Sequence, residues 1–319
     1  MVLFGIGLVV LILHDALTTA FARWRAARGL NLDRAIHVLL WRSWRACAGH
    51  LHQPEVFLSW YGPVSMLLLL SAWAAGLVIG AVLLRSSGAP SLLVLAALLC
   101  PVYLCLVACY VPALYRCFLL SEAASAQFAI EAGIPPTGVA LLCRHAWGCD
   151  NGAWPEPLQA WDGQMAALLA SHRAYPSLAF YRSRHRSHSW LAMLTAILDS
   201  GAVAAAYAGA APGSSARQAF ERACLAVGEL CLIHGVSSRL PLCDRLPPAD
   251  LARLRSILAD AGIPFLEQDE AARRLAEVRG LYEPGVMVLA AHCALALSPW
   301  IPDAPAASIG WRQEGVGQA

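Results

Sequence analysis

Three long apolar segments lie within the first 116 residues, and they restrict the fold more than any other feature of the sequence. Residues 2–22 contain only His14 and Asp15 as ionisable groups, and residues 63–84 and 91–115 contain no charged side chain. An α-helix needs about twenty consecutive apolar residues to cross the hydrocarbon core of a bilayer. The three segments therefore predict a membrane domain over residues 1–116 with three transmembrane helices.

The composition also favours a membrane environment. Hydrophobic residues make up 58% of the 319 residues, charged residues make up 14%, and the mean hydropathy is +0.55. Soluble domains carry a charged fraction of about a quarter, so this composition argues against an ordinary soluble protein. We expect the lipid bilayer to be the main partner, and we expect no nucleic acid partner.

The eleven cysteines do not form a recognisable metal or disulfide pattern. No two of them form a CxxC pair, and several lie inside an apolar segment. Zinc sites favour ligands that are paired at short spacing, whereas Cys143 and Cys149 are six residues apart. We therefore expect small buried cysteines, and neither a metal nor a cofactor.

The placement of arginine predicts the orientation in the membrane. All 23 basic residues are arginine, and the turn at residues 85–90 holds only one of them. Cytoplasmic loops are enriched in basic residues, which assigns residues 23–62 and everything after residue 116 to the cytoplasm. The sequence predicts a multi-pass protein of the cell inner membrane with its N-terminus outside. The basic residues between the first two segments are Arg23, Arg25, Arg28, Arg34, Arg42 and Arg45, against Asp33 and Glu55.

An amphipathic helix is predicted over residues 32–51, inside this first cytoplasmic loop. Its arginines fall together on one side at 100° per residue. Two placements are open: the helix lies in the lipid interface with its arginines towards anionic lipids at the cytoplasmic face, or it packs against the cytoplasmic domain. The apolar side is predicted to consist of Leu32, Ile36, Leu39, Leu40, Cys47 and Leu51.

The rest of the chain has helical periodicity and little strand-like alternation, so the predicted fold class is all-α. One helix is expected to start at Pro247 and Pro248 and to end at Gly262. Another is expected from about Glu267 through Tyr282, with an end or a kink at Pro284. These patterns predict a helical cytoplasmic domain over residues 117–298, followed by a disordered tail over residues 299–319.

Residues 190–211 form a fourth apolar segment in which Asp199 is the only charged residue. This segment is rich in alanine, serine and glycine, and a carboxylate at the centre of a lipid-exposed helix is unfavourable. We therefore predict the buried central helix of the cytoplasmic domain here rather than a fourth transmembrane helix.

Together these segments resemble a family of bacterial potassium-channel-like proteins, in which two transmembrane helices flank a pore loop and a helical cytoplasmic domain follows. The resemblance covers residues 15 to about 300 and implies a channel scaffold. It is carried by HDALTTAFARWRAARGLNLDR (14–34), FLSWYGPVSMLLLLSAWAAGLVIG (57–80), YVPALYRCF (110–118), SHRAYPSLAFYRSRHRSHSWLAMLTAILD (171–199), DRLPPADLARLRSILADAG (244–262) and LYEP (281–284).

The conducting element of such a channel is missing from the sequence. A potassium channel places a pore helix and a TVGYG-like filter between two transmembrane helices, and the filter carbonyls replace the hydration shell of the ion. Here the interval is RSSGAP, residues 85–90, and no threonine in the chain begins a TxGxG sequence. Six residues can reverse the chain but cannot form a re-entrant helix and return.

Three functions follow as hypotheses. The first is a poreless, noncatalytic scaffold or regulatory subunit whose partner is a second copy of the chain or a pore-bearing relative. The second is an ion channel or transporter that conducts by an unconventional route. The third is a membrane-tethered enzyme that uses the histidine-rich segment at residues 172–199. We favour the first, and so predict that the protein is not an enzyme.

The membrane helices contain two sets of candidate functional residues. His14 and Asp15 lie inside the first apolar segment, where an ionisable residue is a functional candidate by default. Asp15 either holds the first helix to its neighbours or transmits a conformational change; alternatively the helix is shifted outwards, and both residues lie among the headgroups. Gly76 and Gly80 have the small-xxx-small spacing that permits close helix association, including oligomerisation.

A second set combines histidines with hydroxyl and carboxylate groups, as acid/base or metal chemistry requires. Its members His185 and His188 lie in RSRHRSH (182–188), which also fits a solvated basic surface, and we favour that interpretation. No HExxH or GxSxG motif is present. The full set is His172, Tyr181, Arg182, His185, His188 and Asp199.

Overall fold

The regular structure of this protein is helical throughout the residues that the structure describes. The computed structural model describes residues 2–21, 32–86, 88, 90–146, 157–183, 189–207, 215–237, 244–262 and 268–301. The α-helices in these ranges are α1 (Val2–Phe21), α2 (Leu32–Ala48), α3 (Pro54–Ser59), α4 (Tyr61–Arg85), α5 (Pro90–Ala132), α6 (Gly138–Ala146), α7 (Pro157–Ala174), α8 (Trp190–Tyr207), α9 (Ser215–His234), α10 (Pro248–Asp260), α11 (Gln268–Arg279) and α12 (Glu283–Cys293), and Pro176–Phe180 form a 3-10 helix.

The chain forms two compact units. The first contains residues 1–121 and 170–184, and the second contains residues 122–169 and 185–319. Helices α5 and α7 contribute residues to both units. The inclusion of residues 170–184 in the first unit has no counterpart in the sequence analysis, because their hydropathy does not distinguish them from the residues around them.

Three helices of the first unit are long and apolar enough to cross a membrane: α1, the continuous stretch from α3 through α4, and α5. The 25 residues of α4 extend about 37 Å at 1.5 Å per residue, against a hydrocarbon core of about 30 Å. All three were predicted, but α5 continues to Ala132, well past the expected end at residue 115. Each of these helices carries exposed apolar side chains. They are Leu3, Phe4, Val10 and Leu11 on α1, Leu67, Leu68, Val78, Ile79 and Val82 on α4, and Val94, Leu98 and Leu104 on α5.

Helices α1 and α4 pack along each other through glycines. A Cβ atom built on Gly80 would lie 2.4 Å from Val9 Cγ2, and one on Gly76 would lie 2.7 Å from Ile12 Cγ1. On the opposite helix, a Cβ atom on Gly5 would lie 2.9 Å from Leu83 Cβ. Only glycine allows this approach, so the spacing of Gly76 and Gly80 serves a contact within the chain.

Replacement of Gly80 by valine is expected to force α1 and α4 apart. Overpacking of a close contact destabilises by about 1–3 kcal/mol, which should lower the thermal unfolding midpoint of the detergent-solubilised protein. Gly7→Val is the matched control, because a Cβ atom on Gly7 meets nothing within 4 Å. In a Gly80→Ala protein, the additional change Val9→Ala should recover stability, because it removes the Val9 methyl group that faces position 80. Equal midpoints for Gly80→Val and Gly7→Val would contradict the close contact.

The connection between α4 and α5 is short. Helix α4 ends at Arg85 and α5 begins at Pro90, and Gly88 has the left-handed backbone conformation (φ 71°) that favours glycine in a tight turn. Four intervening residues extend about 14 Å at most. A pore helix and filter therefore have no room between these two helices.

Helix α2 forms within the predicted range 32–51 and ends at Ala48, but only part of the predicted apolar face is correct: Ile36 packs against the apolar core of the unit. Leu39, Cys47 and Leu51 are exposed. The buried stripe follows His37, Trp41, Trp44 and Ala48, of which Trp41 and Ala48 are buried and His37 and Trp44 are half-buried. The rest of the prediction failed because it ranked aliphatic residues above aromatic ones, whereas aromatic side chains bury the larger area.

Helix α8 is the core of the second unit. It packs against α6, α9, α11 and α12, and nearly all of its side chains are buried. A Cβ atom on Gly138 of α6 would lie 2.6 Å from Ala196 O and from Ser200 N, so the backbones of α6 and α8 are in direct contact. This environment agrees with the predicted buried helix over Trp190–Tyr207, and residues 208–211 of the predicted range lie outside the described residues.

The chain around α12 corrects two sequence predictions. Tyr282 does not continue the preceding helix, because α11 ends at Arg279 and Tyr282 is the N-cap of α12. Pro284 occupies the first turn of α12, where a missing N–H group is tolerated. Trp300 and Ile301 were placed in the disordered tail, but both are buried. Residues 302–319 lie outside the described ranges.

Candidate functional site

The most highly charged cluster in the interior of the second unit surrounds Asp199. This residue lies in the middle of α8 and is 1% exposed. Arg245, just before α10, donates from Nη1 to Asp199 Oδ1 (3.1 Å) and from Nη2 to Asp199 Oδ2 (2.9 Å). Two parallel hydrogen bonds between a guanidinium group and a carboxylate are the strongest geometry that this pair can adopt.

Further groups form hydrogen bonds with Asp199 and with Arg245. The Tyr282 hydroxyl donates to Asp199 Oδ1 at 2.6 Å. Arg245 also donates to Glu283 Oε1 at 3.2 Å and to the Ser298 carbonyl oxygen at 2.8 Å. The cluster therefore joins α8, α12, the residues before α10 and Ser298, which follows α12.

Arg279 extends the cluster towards the surface. It donates from Nη2 to Glu283 Oε2 (3.0 Å) and to Asp244 Oδ1 (2.6 Å). Arg279 ends α11 and Glu283 begins α12, so each charge lies at the helix terminus whose dipole it complements. Three carboxylates and two guanidinium groups thus form one network from the buried centre of α8 outwards.

Trp300 contacts three side chains of this network. Its Nε1 donates to Glu283 Oε1 at 3.3 Å, and the guanidinium carbons of Arg245 and Arg279 lie 5.7 and 5.5 Å from the centroid of its ring. Both distances are within the range of a cation–π contact. The side chain thereby shields both arginines, while Ser298 Oγ donates to the Pro136 carbonyl oxygen at 2.7 Å.

The electrostatics of the cluster follow from burial. Burial raises the pKa of Asp199, against the charge of Arg245 and the hydrogen bonds from Arg245 and Tyr282. Burial and the neighbouring Asp199 raise the pKa of Tyr282 well above its usual value, which keeps the phenol protonated as a donor. Burial alone would lower the pKa of Arg245, but Asp199 outweighs it and raises the pKa.

The carboxylates of the cluster are paired with arginines. Both oxygens of Asp199 and both oxygens of Glu283 interact with arginine side chains. In the ranges with described coordinates, no group of three or more His, Cys, Asp or Glu residues could hold a metal ion.

Comparison with protein-family models, with curated proteins and with solved structures finds no match to this chain. The resemblance to potassium-channel-like proteins therefore rests on the quoted sequence segments alone.

The other members of the predicted histidine-rich set have their own neighbours. His172, Tyr181 and Arg182 belong to the first unit, whereas Asp199 belongs to the second. Burial lowers the pKa of His172 to about 4, so this imidazole is neutral at pH 7. His185 and His188 lie outside the described residues.

Tyr181 and Arg182 hold residues 170–184 to the rest of the first unit. A Cβ atom on Gly62 would lie 2.9 Å from Tyr181 Cγ, so the Tyr181 ring lies directly against the first turn of α4. Arg182 Nη1 donates to Glu55 Oε2 at 2.6 Å. These contacts attach the 3-10 helix segment to α3 and α4.

An aromatic cluster joins the same segment to α2. Phe180 stacks on His37 (centroids 5.1 Å apart) and lies 4.8 Å from Trp41 and 5.5 Å from Tyr61. The His37 Nδ1 and Tyr61 hydroxyl are 2.8 Å apart, and Trp44 donates from Nε1 to the Phe57 carbonyl oxygen at 3.1 Å. Helix α2 is thereby fixed at the N-terminal end of α4.

Asp15 makes a polar contact inside the bundle of apolar helices. The carboxylate is buried, and Trp73 Nε1 of α4 donates to Asp15 Oδ2 at 2.8 Å. The fully buried Trp73 ring meets Tyr110 of α5 edge to face, with centroids 5.9 Å apart. This chain of contacts joins α1, α4 and α5, whereas the neighbouring His14 is exposed.

Asp199 could be singled out from the sequence, but its direct partners Arg245 and Tyr282 were missed. The other members of the network, Glu283, Arg279 and Trp300, were missed as well. A signal was present: a lone ionised carboxylate in a long apolar helix favours a buried cationic partner, and every Lys or Arg residue here is an arginine. Which of the 23 arginines supplies it depends on the fold and is not encoded in local spacing.

Replacement of Arg245 by methionine is expected to lower the free energy of unfolding by about 3–5 kcal/mol, because it leaves a buried carboxylate without its counterion. Arg217→Met is the matched control: its partner Glu221 and Arg217 itself are half exposed, and exposed pairs contribute about 0–1 kcal/mol. Chemical unfolding followed by circular dichroism measures both.

The double variant Arg245→Met with Asp199→Leu tests the cause. Removal of both charges should restore part of the lost stability, because no carboxylate is then left unpaired in α8. A double variant no more stable than Arg245→Met, or an Arg245→Met protein as stable as the Arg217→Met control, would show that the pair is not the source of the stability.

Proposed function

We propose that this protein is a noncatalytic membrane protein that serves as a scaffold or regulatory subunit, built on a channel-like arrangement of helices without a pore. Its partner on this proposal is a second copy of the chain or a pore-bearing relative. Membrane insertion is supported by the exposed apolar side chains of α1, α4 and α5, because exposed apolar patches of this extent are rare on soluble monomers.

The observation that carries the poreless half of the proposal is the connection between α4 and α5. Only residues 86–89 separate Arg85 from Pro90. A selectivity filter needs backbone carbonyls held along an ion pathway by a supporting helix, and a four-residue connection provides neither. The pairing of both Asp199 and Glu283 with arginines supports a noncatalytic role for the second unit.

The orientation proposed is N-terminus outside and C-terminus in the cytoplasm of the inner membrane. It is supported by the six arginines in residues 23–62 against Arg85 alone in the opposite connection. A fluorescent-protein fusion at residue 319 should therefore fluoresce in bacterial cells, and an alkaline-phosphatase fusion at the same position should be inactive. The reverse pair of results would overturn this orientation.

Purified full-length protein reconstituted in liposomes should show no potassium flux above that of empty vesicles, because no filter lies between α4 and α5. A potassium-selective channel reconstituted in the same lipid mixture is the positive control for the flux assay. Selective potassium flux through vesicles that contain only this chain would refute the poreless scaffold and favour an unconventional conduction route.

The proposed association with a partner is tested by a separate experiment. Tagged full-length protein that is extracted from its native membranes with mild detergent should carry a second copy or a stoichiometric membrane partner, as measured by native mass spectrometry. Recovery as a lone monomer in several mild detergents would contradict this half while leaving the flux result intact.

A further inference from the structure

The position and exposed side chains of α2 point to a lipid-headgroup site. Its buried stripe packs on Tyr61, the first residue of α4, and on Phe180. If α4 crosses the bilayer, as proposed above, α2 is fixed at the level where that helix leaves the hydrocarbon core. The inference rests on this part of the proposed function.

The outward surface at this level combines apolar and basic side chains. Leu39 is 74% exposed, and Arg42 and Arg45 are exposed on the same helix. Val56 and Trp60, one turn apart at the start of the α3–α4 stretch, are also exposed. Tryptophan is enriched at the membrane interface, where its ring meets both apolar and polar surroundings.

The charge of this surface is positive. Glu55 is paired with Arg182, and Asp33 is the other acidic residue among residues 32–62. Against them the sequence has Arg34, Arg42 and Arg45, of which Arg42 and Arg45 are exposed on α2. By contrast, Trp41 of the stripe that holds α2 to α4 is buried.

We propose that α2 binds anionic phospholipid headgroups, with Arg42 and Arg45 on the lipid phosphates and Leu39 directed to the acyl chains. A basic amphipathic helix binds an interface by this combination, and basic residues near an anionic membrane surface each add to the attraction. Because α2 is already folded and anchored by aromatic contacts, lipid binding requires no ordering of the helix.

The test uses full-length protein in neutral mixed micelles, titrated with phosphatidylglycerol, phosphatidylcholine or glycerol phosphate while the thermal unfolding midpoint is recorded. Phosphatidylglycerol should raise the midpoint, phosphatidylcholine should not, and glycerol phosphate should have no effect because it lacks acyl chains. Equal shifts with glycerol phosphate would identify a soluble-phosphate site and overturn the lipid assignment.

The double variant Arg42→Gln with Arg45→Gln should need roughly 30-fold more phosphatidylglycerol for the same shift, from about a fivefold loss per arginine. Arg217→Gln with Arg253→Gln is the matched control, because it also removes two exposed arginines, both in the second unit. Arg42→Lys with Arg45→Lys should keep the response. A glutamine variant that responds like the wild type, or a control that loses the response, would overturn the inference.

The outcomes separate this inference from the proposed function. A protein that stays soluble and folded without detergent would refute membrane insertion itself. A protein that requires detergent or lipid, but responds equally to phosphatidylglycerol and phosphatidylcholine, would refute only the headgroup site on α2.

Discussion

An ionised carboxylate that is buried in an apolar helix is unfavourable unless a partner inside the protein compensates it, and Asp199 imposes this requirement on the second unit. Desolvation of one ionised side chain is unfavourable by several kcal/mol unless a partner with good geometry compensates it. Arg245 meets this need through two hydrogen bonds, but it is itself nearly buried. Its other hydrogen bonds go to Glu283 and to the Ser298 carbonyl oxygen. The hydrogen bonds of Arg245 therefore connect α8 with three other parts of the chain.

The first unit follows the opposite arrangement. Asp15 and Trp73 make a polar contact in its interior, while many apolar side chains of α1, α4 and α5 are exposed. In water the hydrophobic effect would drive these side chains inside, whereas in lipid they are already in a favourable environment. Helix association in such a unit depends on close backbone approach, which Gly76 and Gly80 provide.

The long apolar helices could be predicted from the sequence because hydropathy over twenty residues is a local property. The helices after Pro248 and around Gln268 could be predicted for the same reason, since proline, glycine and apolar spacing mark them. The buried side of α2 could not, because it depends on Phe180, which is more than 130 residues away in the chain. Likewise, Asp199 could be singled out from its sequence surroundings, but Arg245, Glu283 and Trp300 could not, since only tertiary structure brings them to it.

The glycine contact between α1 and α4 limits how copies of this protein can meet. Val9 and Ile12 already occupy the grooves at Gly80 and Gly76, so this surface is not available to a second molecule while the unit is folded. The exposed sides of α4 and α5 carry large side chains such as Leu68, Ile79 and Leu104 instead. Association through them would hold the helix axes farther apart than α1 and α4 are, so that contacts between copies would consist of side chains and adapt more readily to intervening lipid.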